Sequence, residues 1–188
     1  MNAALLVMDV QDAIVARFPD GSGELLDALG RATAAARRAG VPVIYVRVGY
    51  RPGAPEISPR NRRLHAAATT WGGMDLADEA NRVHPAIAPQ AGDLEVVKKR
   101  TSAFSGSDLS VLLRSLDVTH LVLTGVATVG VVLSTVRYAS DLDYELTVLS
   151  DGCLDADPEV HRVLMEKVFP RQATVTTVDE WVSGLPAG

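Results

Sequence analysis

The chain has 188 residues, of which 47% are hydrophobic and 22% are charged, so it can bury a full core within a single domain at 1–188. Its formal net charge of −5 excludes the strongly basic class of protein that binds nucleic acid or an anionic membrane surface. With one cysteine, Cys153, an intramolecular disulfide is impossible.

Short apolar runs alternate with longer helical patterns, which is typical of βαβ units that build a parallel sheet. The first run, at residues 4–10, is continuously apolar up to Asp9 and predicts a buried central strand. Residues 24–39 follow a helical period that ends at Gly40, and the segment "VPVIYVRV" that follows predicts a second strand.

The region from Gly49 to Gly92 has poor periodicity and prolines at positions 52, 55, 59, 85 and 89. It is too long for a simple connection between elements. Because long irregular segments in compact domains often form binding loops, we expect part of the functional site here.

Four further strands complete the predicted sheet, and they lie at residues 94–99, 120–126, 145–151 and 173–178. Helices are predicted at 108–116, 131–140 and 158–169, with a short turn at 179–181. This order indicates a doubly wound, Rossmann-like α/β fold with six mostly parallel strands and helices on both faces. Ligands of such sheets bind beyond the carboxyl ends of the strands.

Three chemically capable features stand at those carboxyl ends: Asp9, Lys98 and the turn at 124–130, "TGVATVG". A carboxylate beside an ammonium group can act as a general base, and backbone N–H groups after the glycine can stabilise an oxyanion. The same residues also suit a structural ion pair and an ordinary turn, so spacing alone leaves both interpretations open.

Four segments carry a resemblance to a known family: "LLVMDVQ" (5–11), "VHPAIAPQAGDLEVVKKRTSAFSGSDL" (83–109), "LVLTGVATVGVVLSTVRYA" (121–139) and "LTVLSDG" (146–152). In order and spacing they resemble the isochorismatase-like (cysteine hydrolase) family. The resemblance covers about 5–178. The combination of "K-x-R-x-S-A-F" with "T-G-V-A-T" makes it specific.

In that family an aspartate, a lysine and a nucleophilic cysteine form the catalytic group, and the resemblance places them at Asp9, Lys98 and residue 131. Lys98 is preferred to Lys99 because it stands four residues before the serine of "SAF". Residue 131 is Val131, which supplies no nucleophile. We expect Cys153 to be a small buried thiol and not a displaced nucleophile.

The residues expected to bind substrate are Gln11, Trp71, Phe104, Val126, Ala127 and Gly130. A cis peptide bond is expected between Val126 and Ala127. Aromatic side chains such as Trp71, Phe104 and Tyr50 can form pocket walls, but core packing explains Phe104 and Tyr50 equally well. The basic segment at 59–63, "PRNRR", is either a solvated loop or a contact for a carboxylate.

No metal or other cofactor is expected. Some nicotinamidase-type relatives bind a metal through histidines in the loop after the second strand, where this sequence offers only His65. Relatives that cleave vinyl ethers without the cysteine have a histidine in the turn, which is missing here, so isochorismate is not the expected substrate.

Two hypotheses remain. In the first, the protein is a hydrolase of a small molecule in which Asp9 and Lys98 activate water. In the second, it is a catalytically inactive relative that binds a small molecule or forms a structural oligomer. A pocket open beside Val131 favours the first, and a pocket filled by side chains favours the second. The family resemblance implies a homodimer or larger homo-oligomer, and the lack of a targeting or membrane segment predicts a cytoplasmic protein with no membrane partner.

Overall fold

The computed structural model describes residues 2–70 and 74–186. The described residues form a parallel sheet of six strands in the order β3-β2-β1-β4-β5-β6. The strands are β1 (Ala3–Met8), β2 (Val43–Val48), β3 (Leu94–Lys98), β4 (His120–Val126), β5 (Glu145–Leu154) and β6 (Thr174–Thr176). The predicted doubly wound α/β class is confirmed.

Helices connect the strands on both faces of the sheet. They are α1 (Asp12–Val15), α2 (Ser22–Arg38), α3 (Arg62–Thr70), α4 (Leu109–Ser115), α5 (Leu133–Ser140), α6 (Pro158–Val163) and α7 (Val178–Ser183). One π-helical turn (Thr128–Val132) precedes α5, and another (Leu164–Val168) extends α6. No helix in the described ranges is long and apolar enough to cross a membrane.

Helix α3 lies inside the 49–92 region, whose poor periodicity predicted an irregular segment. Asn61 begins it, because the Asn61 Oδ1 accepts a hydrogen bond from the backbone N–H of Leu64 at 3.2 Å. Three successive alanines at 66–68 then favour the helical backbone. The sequence prediction missed this helix because its apolar face is short and partly exposed.

The sheet divides the hydrophobic core into two clusters. Side chains of β1 alternate between them: Leu6 and Met8 pack on the face covered by α4 and α5, whereas Leu5 and Val7 pack on the face covered by α2 and α7. Burial on both faces explains why β1 is apolar at every position. The first polar residue after it, Asp9, therefore marks the edge of the sheet.

The strand order reverses direction at β1, which lies between β2 and β4. In doubly wound sheets this reversal opens a crevice at the carboxyl ends of the two central strands. Gly125 allows β4 to approach β1 closely there: its φ is 140°, and a Cβ atom at this position would overlap the carbonyl oxygen of Met8. The crevice is bordered by Asp9 after β1 and by Val126 at the end of β4.

We expect Gly125→Ala to destabilise the protein by about 2 kcal/mol or more, because the new methyl group must push β4 away from Met8. Gly30→Ala, in the middle of α2 with no atom within 4 Å of the new Cβ, should instead stabilise it by about 0.5–1 kcal/mol. Urea unfolding followed by circular dichroism measures both. A Gly125→Ala protein as stable as the wild type would contradict the close approach.

Candidate active site

Asp9 and Lys98 form a buried ion pair at the crevice. The Lys98 Nζ lies 2.9 Å from the Asp9 Oδ2, although the two residues end strands that are separated by β2. Asp9 adopts a left-handed backbone with a φ of 57°, which aspartate tolerates better than most residues. The Lys98 ammonium also donates to the carbonyl oxygens of Arg100 at 2.9 Å and Thr101 at 3.0 Å. These three contacts match the three donors of an ammonium group.

The second carboxylate oxygen of Asp9, Oδ1, is buried and has no hydrogen-bond partner among the described residues. Burial raises the pKa of Asp9 above its usual value, because it removes water from the charged form. The positive charges of Lys98 and Arg63 oppose this effect and keep the pKa lower than burial alone would make it. The site thus holds a carboxylate with a free acceptor atom and a pKa moved toward neutrality, which suits a general base.

Asp9 and Lys98 both line a cavity of about 280 Å³. Its apolar walls include Ile14, Phe18, Val48, Met74, Val126, Ala127 and Val131. Its polar lining consists of Asp9, Arg17, Tyr50, Arg63, Lys98, Arg100 and Thr101. A small, mostly apolar cavity with a few convergent polar groups is typical of a site for a small molecule.

The turn after β4 supplies one wall of the cavity. Val126, Ala127 and Val131 line it, and the peptide bond between Val126 and Ala127 is cis. Gly130 is buried beside the cavity, with the Arg63 guanidinium packed against it. The structure therefore brings these four positions, expected from the resemblance, to the same place as Asp9 and Lys98.

The loop between β5 and α6, together with α6 itself, contacts this turn. The backbone N–H of Val129 donates to the Asp155 Oδ2 at 2.7 Å, and the hydroxyl group of Thr128 lies 2.9 Å from the Nδ1 of His161. Sequence reasoning assigned no role to Asp155 or His161. Asp155 lies in the loop before α6 and His161 lies in α6, and their contacts with the turn depend on the fold, so no spacing in the chain indicates them.

Gln11 and Phe104 are placed outside the cavity lining. The side-chain amide of Gln11 is buried, accepts from the backbone N–H of Val48 at 2.8 Å and donates to the Val48 carbonyl oxygen at 3.0 Å, so it fixes the end of β2. Phe104 belongs to the core and stacks on Tyr138 with 5.2 Å between ring centroids. Neither residue lines the cavity wall. Trp71 lies outside the described residues.

The cavity residues that were not expected to bind substrate include three arginines and a tyrosine: Arg17, Tyr50, Arg63 and Arg100. Tyr50 was considered as a possible wall, and it does line the cavity. Arg63 belongs to the basic segment at 59–63, whose composition predicted either a solvated loop or a contact for a carboxylate. The position of α3, which the periodicity did not reveal, determines that Arg63 reaches the cavity.

Cys153 lies away from the cavity, in β5 opposite Gly125. Burial raises the pKa of its thiol to about 12, so the thiolate is scarce at neutral pH. In the described part of the chain, no group of three or more His, Cys, Asp and Glu side chains is arranged to hold a metal ion. The polar side chains that line the cavity are those of Asp9, Tyr50, Lys98, Thr101 and the three arginines.

The strand order and the Asp9–Lys98 pair at its crevice define an isochorismatase-like α/β fold. A family model described as "Isochorismatase domain" matches residues 3–180, and the chain belongs to this family of hydrolases.

Other members of the family are similar to this chain over nearly its whole length. The uncharacterized isochorismatase family protein YecD of Escherichia coli is 30% identical, over 98% of this chain and 96% of its own length. The ureidoacrylate amidohydrolase RutB of Methylobacterium radiotolerans is 33% identical, over 97% and 76% of the two chains.

Solved structures give the same result. An isochorismatase family protein from Burkholderia thailandensis has a TM-score of 0.84 at 28% identity, over 98% of this chain and 95% of that one. The N-carbamoylsarcosine amidase from Thermoplasma acidophilum has a TM-score of 0.76 at 26% identity, over 95% and 98%.

We expect the Asp9–Lys98 pair to be strongly coupled in stability. Lys98→Met leaves the Asp9 carboxylate buried without its cation and should cost about 3–5 kcal/mol. The double variant Asp9→Asn/Lys98→Met removes both charges, and its cost should fall short of the sum of the two single variants by about 1 kcal/mol or more. Chemical denaturation of the wild-type protein, Asp9→Asn, Lys98→Met and the double variant measures this difference. Additivity to within about 0.5 kcal/mol would show that the pair is not coupled.

Proposed function

We propose that the chain is a single-domain, cytoplasmic hydrolase of small molecules in which Asp9 and Lys98 activate water and no cysteine acts as nucleophile. The observation that carries this proposal is the buried carboxylate of Asp9, which lines a cavity open beside Val131 and whose Oδ1 has no hydrogen-bond partner among the described residues. A water molecule bound to this carboxylate would lie next to the bond to be cleaved. Val131 contributes only apolar surface at the position where the family resemblance expects a cysteine.

The residues support a general-base mechanism. Asp9 accepts a proton from water while the water oxygen attacks the carbonyl carbon of the substrate. The carbon–nitrogen bond of the resulting tetrahedral intermediate then breaks, and the leaving nitrogen takes the proton back from Asp9. Lys98 holds the Asp9 carboxylate in position and offsets part of the cost of its burial.

Amides and ureido compounds are the substrate class that fits best. Two relatives, the ureidoacrylate amidohydrolase and the N-carbamoylsarcosine amidase, are named for reactions of this kind. The cavity of about 280 Å³ suits a molecule of this size, and its mostly apolar walls strengthen the electrostatic contacts of its few polar groups. We therefore propose cleavage of a carbon–nitrogen bond next to a carbonyl group.

The alternative is a non-catalytic relative that binds a small molecule or forms a structural oligomer. The apolar Val131 in the cavity wall favours it, because this side chain offers no group to react with a substrate. Against it, the cavity is not closed: Phe104 packs in the core, and Val131 leaves space above Asp9. A purely structural role also gives no reason for an unpaired buried oxygen on Asp9.

A substrate screen distinguishes these functions. The purified protein is incubated with amides, ureas, carbamates, esters and vinyl ethers, and products are detected by mass spectrometry. Asp9→Asn and Lys98→Met should each lower turnover by about 100-fold or more, since both remove a part of the general base. Cys153→Ala and Lys99→Met, which alter the buried thiol and the neighbouring lysine outside the cavity lining, should retain it.

Two results would overturn the proposal. Turnover that survives in both Asp9→Asn and Lys98→Met would exclude the proposed general base. Silence with every substrate class, from a protein that still binds small molecules in the cavity, would favour the non-catalytic alternative.

The pH dependence of kcat/KM should reflect the raised pKa of Asp9. Because the base must be ionised, kcat/KM should fall as the pH drops through a value above the usual aspartate pKa of about 3.9. The positive charge of Arg63 lowers this pKa, so Arg63→Gln should move the acidic limb to higher pH. Arg62→Gln, with an exposed side chain outside the cavity lining, is the control. An acidic limb that Arg63→Gln leaves in place would assign it to another group.

A further inference from the structure

His161 contacts the turn that forms one wall of the cavity. Its Nδ1 lies 2.9 Å from the Oγ1 of Thr128, a residue that is fully buried. Thr128 directly follows Ala127 and stands three residues before Val131, and both of these residues line the cavity. The lining does not include His161. An effect of His161 on the shape of the cavity must therefore pass through the turn.

The Thr128 hydroxyl is the donor in this contact. Among the residues that the structure describes, the His161 Nδ1 is its one hydrogen-bond partner. A buried hydroxyl hydrogen without an acceptor costs free energy, so the favoured arrangement is the one in which Nδ1 accepts. The neutral imidazole of His161 then carries its proton on Nε2.

Protonation of His161 removes this acceptor. Both nitrogens of an imidazolium carry hydrogen, so Nδ1 can then only donate, and the hydroxyl hydrogen of Thr128 loses its partner. Two side chains hold the turn from this side, and the second contact, from the backbone N–H of Val129 to the Asp155 Oδ2 at 2.7 Å, does not involve the imidazole. Protonation therefore breaks one of the two restraints on the turn and leaves the other.

The surroundings of His161 favour its neutral form. Partial burial lowers the pKa of His161 below its usual value of about 6.5, because it removes water from the cation, and the carboxylate of Asp155 opposes this effect. Five further titratable or charged side chains share a surface pocket with His161: Glu24, Asp27, Arg31, Asp151 and Cys153. Three more lie at the start of α6: Asp157, Glu159 and Arg162. Among these residue types, histidine is the one whose charge ordinarily changes between about pH 5 and 8.

We infer that His161 is a positioning residue for the cavity: its neutral imidazole holds the Thr128 hydroxyl, and with it the wall formed by Ala127 and Val131, and its protonation releases that wall. The cavity then has its described shape only at a pH above the titration midpoint of His161. Binding of a molecule in the cavity becomes sensitive to pH through a group outside the lining. The inference concerns the shape of the wall, so it does not require that Asp9 acts as a base.

An NMR titration of the full chain tests the inference without a ligand. Long-range ¹H–¹⁵N spectra give the tautomer and the titration midpoint of His161, and ¹³C-labelled methyl groups of Ala127 and Val131 report on the cavity wall. In the wild-type protein, the proton of neutral His161 should lie on Nε2. The methyl resonances of Ala127 and Val131 should move with the midpoint of His161, at a pH below about 6.5.

Matched variants separate the hydrogen bond from the charge. His161→Asn offers an amide oxygen near the place of Nδ1 and cannot be protonated in this range, so the movement that follows His161 should be lost. Thr128→Val removes the hydroxyl group but leaves His161 to titrate, and it should also abolish the movement. The midpoint of His161 should rise in this variant, because a hydrogen bond to the neutral form is lost. Thr128→Ser keeps the hydroxyl group and should keep the movement.

His65→Asn is the control, because His65 is exposed in α3 and outside the cavity lining. It should leave the movement of both methyl resonances unchanged. Titration of Asp9 persists in His161→Asn and is separated in this way. Melting temperatures show that each variant is folded, and the wild-type titration decides the question even if one variant is not.

Three results would overturn the inference: a proton on Nδ1 of neutral His161, methyl resonances that do not follow its midpoint, or a movement that survives in Thr128→Val. The last result would show that the charge acts through space and not through the hydroxyl group. These outcomes differ from failure of the proposed hydrolysis. A protein that turns over no substrate but shows the coupled titration keeps the inference and loses the catalytic proposal, whereas turnover by a protein whose cavity wall ignores His161 does the reverse.

Discussion

The buried ion pair between Asp9 and Lys98 is the interaction on which the site depends. It joins β1 to β3 across the intervening β2, so three neighbouring strands must keep their register for the two charges to meet. A lone charge would be too costly in this interior, and each partner makes the other tolerable. One atom of the pair, the Oδ1 of Asp9, is buried and has no hydrogen-bond partner among the described residues. This oxygen is the atom of the pair that can still accept a hydrogen bond.

The rest of the fold holds this pair beside a space of defined shape. Gly125 permits the close approach of β4, Gln11 fixes the end of β2, and Asp155 holds the turn that carries Val131. Gly125, Gln11 and Asp155 do not line the cavity themselves, but each helps to position a residue that does. A family fold can in this way retain a prepared cavity even where the position expected to carry a thiol holds an isopropyl group.

Sequence reasoning predicted the parts of this molecule that depend on periodicity and strand order. The apolar run ending at Asp9 and the alternation of strands and helices were enough for the doubly wound sheet, because buried parallel strands have a distinctive composition. The family resemblance then predicted that Asp9 and Lys98 belong to the functional site. It could not reveal that α3 turns Arg63 toward the cavity or that Phe104 stacks in the core, because both depend on how a long segment packs in three dimensions. Tyr50 was ambiguous for the same reason.

The bare backbone at Gly130 has a consequence for how the protein can diverge. A Cβ atom there would stand 3.1 Å from the Arg63 Nη2, so one codon change from glycine to alanine would shift the flexible end of Arg63 by a few tenths of an ångström. Such a change alters the cavity lining without altering Asp9, Lys98 or the sheet. The shape of the cavity wall can therefore drift during evolution while the Asp9–Lys98 pair stays in place.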